Sequence, residues 1–540
     1  MECFDYIIVG AGSAGSLLAE RLSLRHRVLL LEAGSSGAYF RLPFTGRAPR
    51  EPGDARIDWG FSTMPEPGLN GRILAYPRTR LLGGPSAAFR MIWLCGHAAD
   101  FDGWRRQGLT GWGWEDVEPH FRRLERDAVM ADPVPVLPGV ARGRAGLRQS
   151  EILGSLREAA VLAGFAATED FNLGDNSGVG FYRFAGRGMR RAGASRVAQL
   201  AGLPALLASP WRRRTLKIVT GAHAERLLIE AGRVIGVRWR RAGLTESARA
   251  DGEVVLSAGA IGSPQLLMLS GIGPAEHLRA MGIKVMRDVP DIGGNLQDHL
   301  QLDCTFRLDP QAPDAAGLAS GWHRLRMAAR GFPVGLRGRS GLSPLGIFAQ
   351  SRAGLAGPDL QFTALAVAPG ESGHARPGEV RLDLSVCLLH PQSRGSVRLA
   401  GPEPMRHPRI RPNYLASAGD RRVAADAIRL ARRIMAQAPL AQYRPQESSP
   451  GPEVGDGDPA LIRAAGDFGG TACHPVGTVR MGCDARAPLD GDLRLRGIGG
   501  LRVVDASVMP TITGGHTYAP TMMIAARAAA MILGESPGKS

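Results

Sequence analysis

Lysine is almost missing from this chain. Among 66 basic residues in 540, only Lys217, Lys284 and Lys539 are lysine. The net charge of +16 is therefore carried by arginine, interleaved with acids rather than gathered in blocks. Blocks of charge, not totals, mark nucleic-acid-binding tails, so no nucleic-acid partner is expected. Cysteine is sparse as well: Cys3, Cys95, Cys304, Cys387, Cys473 and Cys483 form no CxxC pair and no His/Cys cluster at zinc spacing. That argues against a disulfide framework and a structural zinc site. It fits a reducing compartment, with a cytoplasmic location as the expectation. No HExxH or carboxylate–histidine cluster appears, so no metal is expected. With aromatics at 6%, no aromatic cage for a quaternary ammonium group can be picked out. Long apolar runs are short of what a membrane requires. Val254 to Ala275 is uncharged and about membrane length, but Ser257, Gly259, Gly262, Ser263, Pro264 and Gln265 interrupt it. It reads better as strand, turn and buried helix. No transmembrane segment is expected, and contact with a membrane surface stays open. Met1 to Asp5 is acidic and leads straight into a strand, which argues against a targeting segment.

What is present begins with FDYIIVGAGSAGSLLAERLSLRHRVLLLEAG, Phe4 to Gly34. Tyr6 to Val9 is a short apolar strand. Gly10, Gly12 and Gly15 give G-x-G-x-x-G, and Leu17, Leu18 and Leu22 recur at helical spacing. A second strand, Arg27 to Leu31, ends at Glu32. Gly10 permits the tight turn, Gly12 lets backbone approach a pyrophosphate, and Gly15 lets helix and strand pack closely. Free N–H groups and the helix dipole favour phosphate at the helix start. Glu32 can accept a hydrogen bond from an adenosine ribose hydroxyl. The pattern predicts dinucleotide binding, with contacts from Gly10, Gly12, Ser13, Gly15, Glu32 and Ala33. It does not by itself separate FAD from NAD.

Four further segments resemble one family. They are EVVLSAGAIGSPQLLMLSGIGPAEHLRAMGI (Glu253 to Ile283), VPDIGGNLQDHL (Val289 to Leu300), CHPVGTVRMG (Cys473 to Gly482) and GLRVVDASVMPTITGGHTYAPTMMIAARAA (Gly500 to Ala529). Together with the opening turn they are similar to the glucose–methanol–choline (GMC) oxidoreductases, FAD-dependent alcohol dehydrogenases and oxidases. The resemblance implies an α/β architecture. A Rossmann-like FAD-binding domain is assembled from discontinuous segments, 1–150, 213–300 and 470–540. A substrate domain built on an antiparallel sheet takes 151–212 and 301–469. Locally, Val380, Leu382, Leu384, Val386 and Leu388 alternate with Arg381, Asp383, Ser385 and Cys387, as a half-buried strand should.

The resemblance also implies a site. His474, in CHPVGT, matches the family's catalytic histidine, and His516 stands where the family carries His or Asn. Alcohol oxidation removes a hydroxyl proton and a carbon-bound hydride. An imidazole, with an unperturbed pKa of about 6.5, can take the proton near neutral pH. One ring takes it while the other holds the substrate oxygen. Pro520 suits a first helical turn, so Thr517 to Ala519 present N–H groups at a positive dipole end. The resemblance places Thr517 and Tyr518 there against the flavin. It likewise gives Gly83 and Gly84 to the cofactor, Asp505 and Ala506 to its pyrophosphate and ribityl chain, and the backbone of Ala224 to its adenine. Asp505 could equally brace the local turn. His97, His120, His223, His277, His299, His390 and His407 lack such support and are expected to be structural.

Around Gly83 the chain departs from the family's G-G-S-S-x-x-N-x-M. Pro85 removes a donor, Phe89 replaces asparagine, and Arg90 replaces a small residue. Cys95 stands where arginine is common, and Tyr518 where asparagine is. Ala88 stands where some members carry a flavin-linking histidine, so FAD is expected to be non-covalent. The leading reading is oxidation of an alcohol to a carbonyl, with electrons passed to a quinone or another acceptor. The alternatives are an oxygen-using alcohol oxidase, a hydroxynitrile-lyase-like enzyme and a non-catalytic flavin-binding protein.

Overall fold

The computed structural model describes residues 1–35, 57–88, 91–130, 144–182, 184–185, 214–312, 344–367 and 379–535. Its first strand, Glu2–Val9, runs into a helix, Ser13–Leu22, and returns as Val28–Glu32. The two strands pair in parallel, Tyr6 opposite Val28 and Val9 opposite Leu31. Both faces of this pair are covered, so the strand residues are apolar without alternation: Ile7, Ile8, Leu29 and Leu30 are all buried. Leu216–Thr220 joins outside Val28–Glu32, and Leu244–Leu256 pairs with Glu2–Val9 on the other side. Arg233–Arg241 and His223–Glu230 then extend the sheet antiparallel, and Leu501–Val503 pairs with Leu244–Leu256. The result is a seven-stranded mixed sheet drawn from three separated stretches of sequence.

The apolar run beginning at Val254 divides as its sequence suggests. Leu244–Leu256 is a strand, and Gly259–Leu269 is a helix buried nearly all round. The last helix, Tyr518–Leu533, packs against the first helix and buries Met523, Ile524 and Ala525 in the core they share. Each large side chain so buried contributes roughly 1.5–3 kcal/mol. Arg527, the one charge in that helix, lies with its guanidinium 4.8 Å from the centroid of the Trp112 ring.

A second seven-stranded sheet, antiparallel along its described pairings, runs from Gln446–Ser449 through Leu300–Leu308, Val380–Leu388, Leu360–Val367 and Leu345–Ala349 to Gly178–Phe181, with Gly470–Thr471 beside Leu300–Leu308. Val380, Leu382, Leu384 and Val386 point into its core, while Arg381, Asp383 and Ser385 are half-buried on the other face. Cys387 breaks the alternation by being buried too. Here the outer face is covered by Leu94, Phe171, Tyr182, Phe348 and Leu389. Among the described residues no helix is long and apolar enough to cross a membrane.

Candidate active site

The glycine turn is built by close contact. Gly10 has φ +101° and donates to Leu31 O at 2.8 Å. A Cβ there would sit 2.4 Å from Ser257 O, and one on Gly15 would sit 1.9 Å from Gly10 O. Gly12 differs: a Cβ on it would meet nothing within 4 Å, so this side of the turn faces open space. Gly12 caps the first helix without a side-chain hydrogen bond, leaving the first-turn N–H groups beginning at Ser13 uncapped by it. The Gly83–Gly84 turn stacks directly on this one. Gly83 N–H donates to Ala11 O at 2.8 Å, and a Cβ on Gly84 would lie 3.0 Å from Gly12 Cα. Pro85 opens a one-turn helix, Pro85–Ala88, where its missing N–H costs little. Phe89 and Arg90 lie outside the described residues.

Glu32 is buried at its strand end and accepts from Ala11 N at 2.9 Å and Gly34 N at 2.7 Å. Burial pushes its carboxyl up to about 6, against the pull of those amides and of Arg80. Half-buried Ala33 follows it. Ala222 N–H donates to Glu32 O, which brings the start of the strand holding Ala224 to the same corner. Asp505 is largely committed to bracing. Its Oδ2 accepts from Gly259 N (2.9 Å) and Ser263 Oγ (2.6 Å), and its Oδ1 accepts from Ser507 N (2.8 Å). Ala506, half-buried, opens the short helix Ala506–Val508. An uncapped helix start, open space at Gly12 and a buried carboxylate one strand away fit the phosphates and ribose of FAD. A second helix start lacks a side-chain cap as well: Thr517 precedes Tyr518–Leu533 without one. It fits a ring edge that gathers negative charge. Tyr518 packs edge-on to Trp93, their centroids 6.0 Å apart.

His474 and His516 come together although 42 positions separate their numbers. Their ring centroids are 4.8 Å apart at 70°. Both residues are half-buried, and the loss of hydration there is the main reason both imidazoles lose basicity. His516 falls to about 4. His474 falls well below 6.5, with the charges of His516, His299 and Arg78 adding to the effect. Near neutral pH both rings are therefore uncharged. Tyr182 stands edge-on to His516 at 6.3 Å and belongs to the aromatic cluster with Phe171 and Phe348.

One segment ties both histidine loops. Asn295 Nδ2 donates to Gly477 O (3.2 Å) and Pro510 O (3.1 Å). Gln297 Nε2 donates to Pro510 O (3.0 Å), while its Oε1 accepts from Ile512 N (3.2 Å). Asp298 Oδ1 accepts from His474 N at 2.7 Å. Its Oδ2 accepts from Tyr76 OH, Tyr414 OH and Thr471 Oγ1 at 2.8, 2.6 and 2.6 Å. His299 Nδ1 lies 3.0 Å from His474 Nδ1. The turn before His516 is clamped separately: Gly514 N donates to Asp100 Oδ2 (2.7 Å), and Asn176 Nδ2 donates to Gly514 O (2.8 Å). Sequence reasoning left His299 among the structural histidines, and the structure brings it into contact with His474. The available signal was the run Asn295–Leu296–Gln297–Asp298–His299, four polar side chains in five positions next to an apolar strand. Among the described residues, His97, His120, His223, His277, His390 and His407 form no hydrogen bond or ring contact with His474 or His516.

Comparison with known proteins gives a consistent picture. The family model for GMC oxidoreductase, N-terminal part, matches residues 4–301, and its C-terminal counterpart matches residues 391–525. A relative from Photobacterium profundum, named oxygen-dependent choline dehydrogenase, is 36% identical over 554 residues, covering 99% of this chain and 94% of the relative. A protein of the same name from Pseudomonas savastanoi pv. phaseolicola is 37% identical over 551 residues, covering 99% and 94%. Among solved structures, pyridoxine 4-oxidase from Mesorbium loti superposes with a TM-score of 0.79 at 29% identity, covering 98% of this chain and 99% of that one. Formate oxidase from Aspergillus oryzae RIB40 superposes with a TM-score of 0.82 at 25% identity, covering 99% and 98%.

Proposed function

The chain belongs to the GMC oxidoreductases, FAD-dependent enzymes acting on CH–OH groups, and from that premise we propose that His474 is the base that takes the hydroxyl proton of a small alcohol while His516 holds the alcohol's oxygen. The pairing of two neutral imidazoles at 4.8 Å carries this reading. A neutral ring has one lone pair to accept a proton and one N–H to donate, so the pair can do both jobs at one oxygen. FAD, when bound, supplies the hydride acceptor. Gly10, Gly12, Ser13, Gly15, Glu32 and Ala33, with Gly83, Gly84 and the backbone of Ala224, would hold its nucleotide end, and Asp505 and Ala506 would meet its pyrophosphate and ribityl chain. The backbone at Thr517 and Tyr518 would meet its ring. Asp298, already occupied by four donors, is not free to pair with a substrate cation. Substrate contact on the His516 side falls to Tyr182 and the apolar residues around it.

His474→Ala is expected to cut alcohol-driven flavin reduction by about 10²–10⁴-fold with FAD retained. Anaerobic loss of the flavin's visible band measures this, using a panel that includes choline, benzyl alcohol and simple primary alcohols. Near-normal reduction in that variant would remove His474 from the chemistry. Electrons then pass to a quinone or a similar acceptor. The names of the relatives, which include an oxygen-dependent dehydrogenase and two oxidases, support oxygen as a second reading. Stoichiometric peroxide during turnover in air selects oxygen, and quinone-dependent turnover without peroxide selects the first.

A further inference from the structure

Two consecutive residues hold His474 from different sides. Asp298 takes its backbone N–H, and His299 meets its ring. The carbonyls of Leu389 and Thr513 both draw on the His299 ring, and the one within hydrogen-bond geometry fixes where its hydrogen sits. Leu389 O is a carbonyl and can only accept, so His299 Nε2 carries the hydrogen at their 3.1 Å contact. A neutral imidazole has one N–H, so His299 Nδ1 is bare and must accept. The ring facing it at 3.0 Å must then donate, which puts the hydrogen of His474 on Nδ1. His474 Nε2 is left with its lone pair. We infer that His299 is a positioning residue that locks His474 in the tautomer whose Nε2 is free to accept the alcohol's hydroxyl proton, an inference that rests on the reading of His474 as the base.

The neutrality this needs comes from burial. His299 is fully inside, and burial, with His390 and His516 adding to it, drives its pKa down to about 3. The other tautomer of His474 would set two bare nitrogens against each other and turn an N–H toward the substrate. In the favoured arrangement the alcohol's O–H bond breaks and its proton arrives at Nε2. Nδ1 keeps its hydrogen, and the resulting cation stays hydrogen-bonded to His299 Nδ1. Backbone pairing makes the contact reproducible. Gln297 and Val476 exchange hydrogen bonds, and Ala472 N–H donates to His299 O at 3.0 Å. The two loops therefore hold one register, and His299 has one place to stand.

The test begins with the FAD-loaded enzyme labelled with ¹⁵N-histidine. Two-bond ¹H–¹⁵N correlations at neutral pH should show Nδ1–H and bare Nε2 on His474, and Nε2–H on His299. A protonated Nε2 on His474 overturns the inference without any variant. For the kinetics, His299→Gln keeps both ends of the device, an amide N–H for Leu389 O and an oxygen for His474 Nδ1–H. His299→Leu keeps neither. His299→Leu should slow flavin reduction about 10–100-fold, with FAD content and KM little changed and the tautomers of His474 mixed. His299→Gln should recover most of the rate. Wild-type reduction by His299→Leu, or a loss in His299→Gln equal to that in His299→Leu, overturns the role. If His299→Leu fails to fold, the spectrum and the His299→Gln rate decide. Wild-type turnover by His474→Ala overturns the base reading and this role with it, a result distinct from a wrong tautomer in an enzyme that still needs His474.

Discussion

His474 and His516 lose basicity because the fold leaves both rings only partly hydrated. A charged imidazole loses its hydration on burial, so protonation becomes harder and both pKa values fall. The sign follows directly. A base must be unprotonated to act, and a lowered pKa keeps it so further into acid. The kcat/KM for anaerobic flavin reduction should stay level across neutral pH and fall only on the acid side of about 6.5, the ordinary histidine value. An acid limb centred at or above that value would mean that another group, or a more exposed histidine, governs the step. The histidine motif was legible at this scale because CHPVGT and TGGH are local strings. The lowered basicity was not, since it depends on what covers the rings. His299 was equally hidden: its partner lies 175 positions away.

From the end of the first strand into the first helix, three glycines look alike in sequence and differ in the structure. A methyl group on Gly15 would collide with Gly10 O, so Gly15→Ala forces the helix off the turn and should cost about 1–3 kcal/mol or more. A methyl group on Gly12 meets nothing, so Gly12→Ala should fold normally. It would still intrude where phosphate is expected, and FAD should be lost. Thermal midpoints and flavin content of the two purified variants separate these outcomes. A Gly12→Ala protein holding full FAD would mean that the open side of the turn is not the phosphate site. Pro85 shows the opposite lesson. In sequence it is a lost donor, while in the structure it starts a helical turn, where a missing N–H costs little.

Across the whole molecule, two sheets with separate cores meet along the segment from Asn295 to Leu300, which leaves one core and enters the strand of the other. Both histidine loops are tied to that segment, so the site is held by the junction itself. FAD, bound by the folded state, should stabilise it by mass action, about 2.7 kcal/mol at a free concentration 100 times Kd. Removing FAD should therefore lower the thermal midpoint, and adding it back should restore the midpoint in a concentration-dependent way. An unchanged midpoint would mean that FAD does not bind the native fold preferentially.

By itself the sequence determined the nucleotide turn, the buried helix after Leu256, the alternating strand from Val380 and the two histidine strings. Each of these is written in residues a few positions apart, where spacing dictates backbone geometry. Tertiary structure alone decided that Cys387 is buried on its outer face, that Gly259, Ser263 and Ser507 take up the Asp505 carboxylate, that Arg527 rests on Trp112 and that His299 meets His474. Those facts depend on which surfaces are pressed together, and burial and hydrogen-bond partners across hundreds of positions have no period that a chain read in order can reveal.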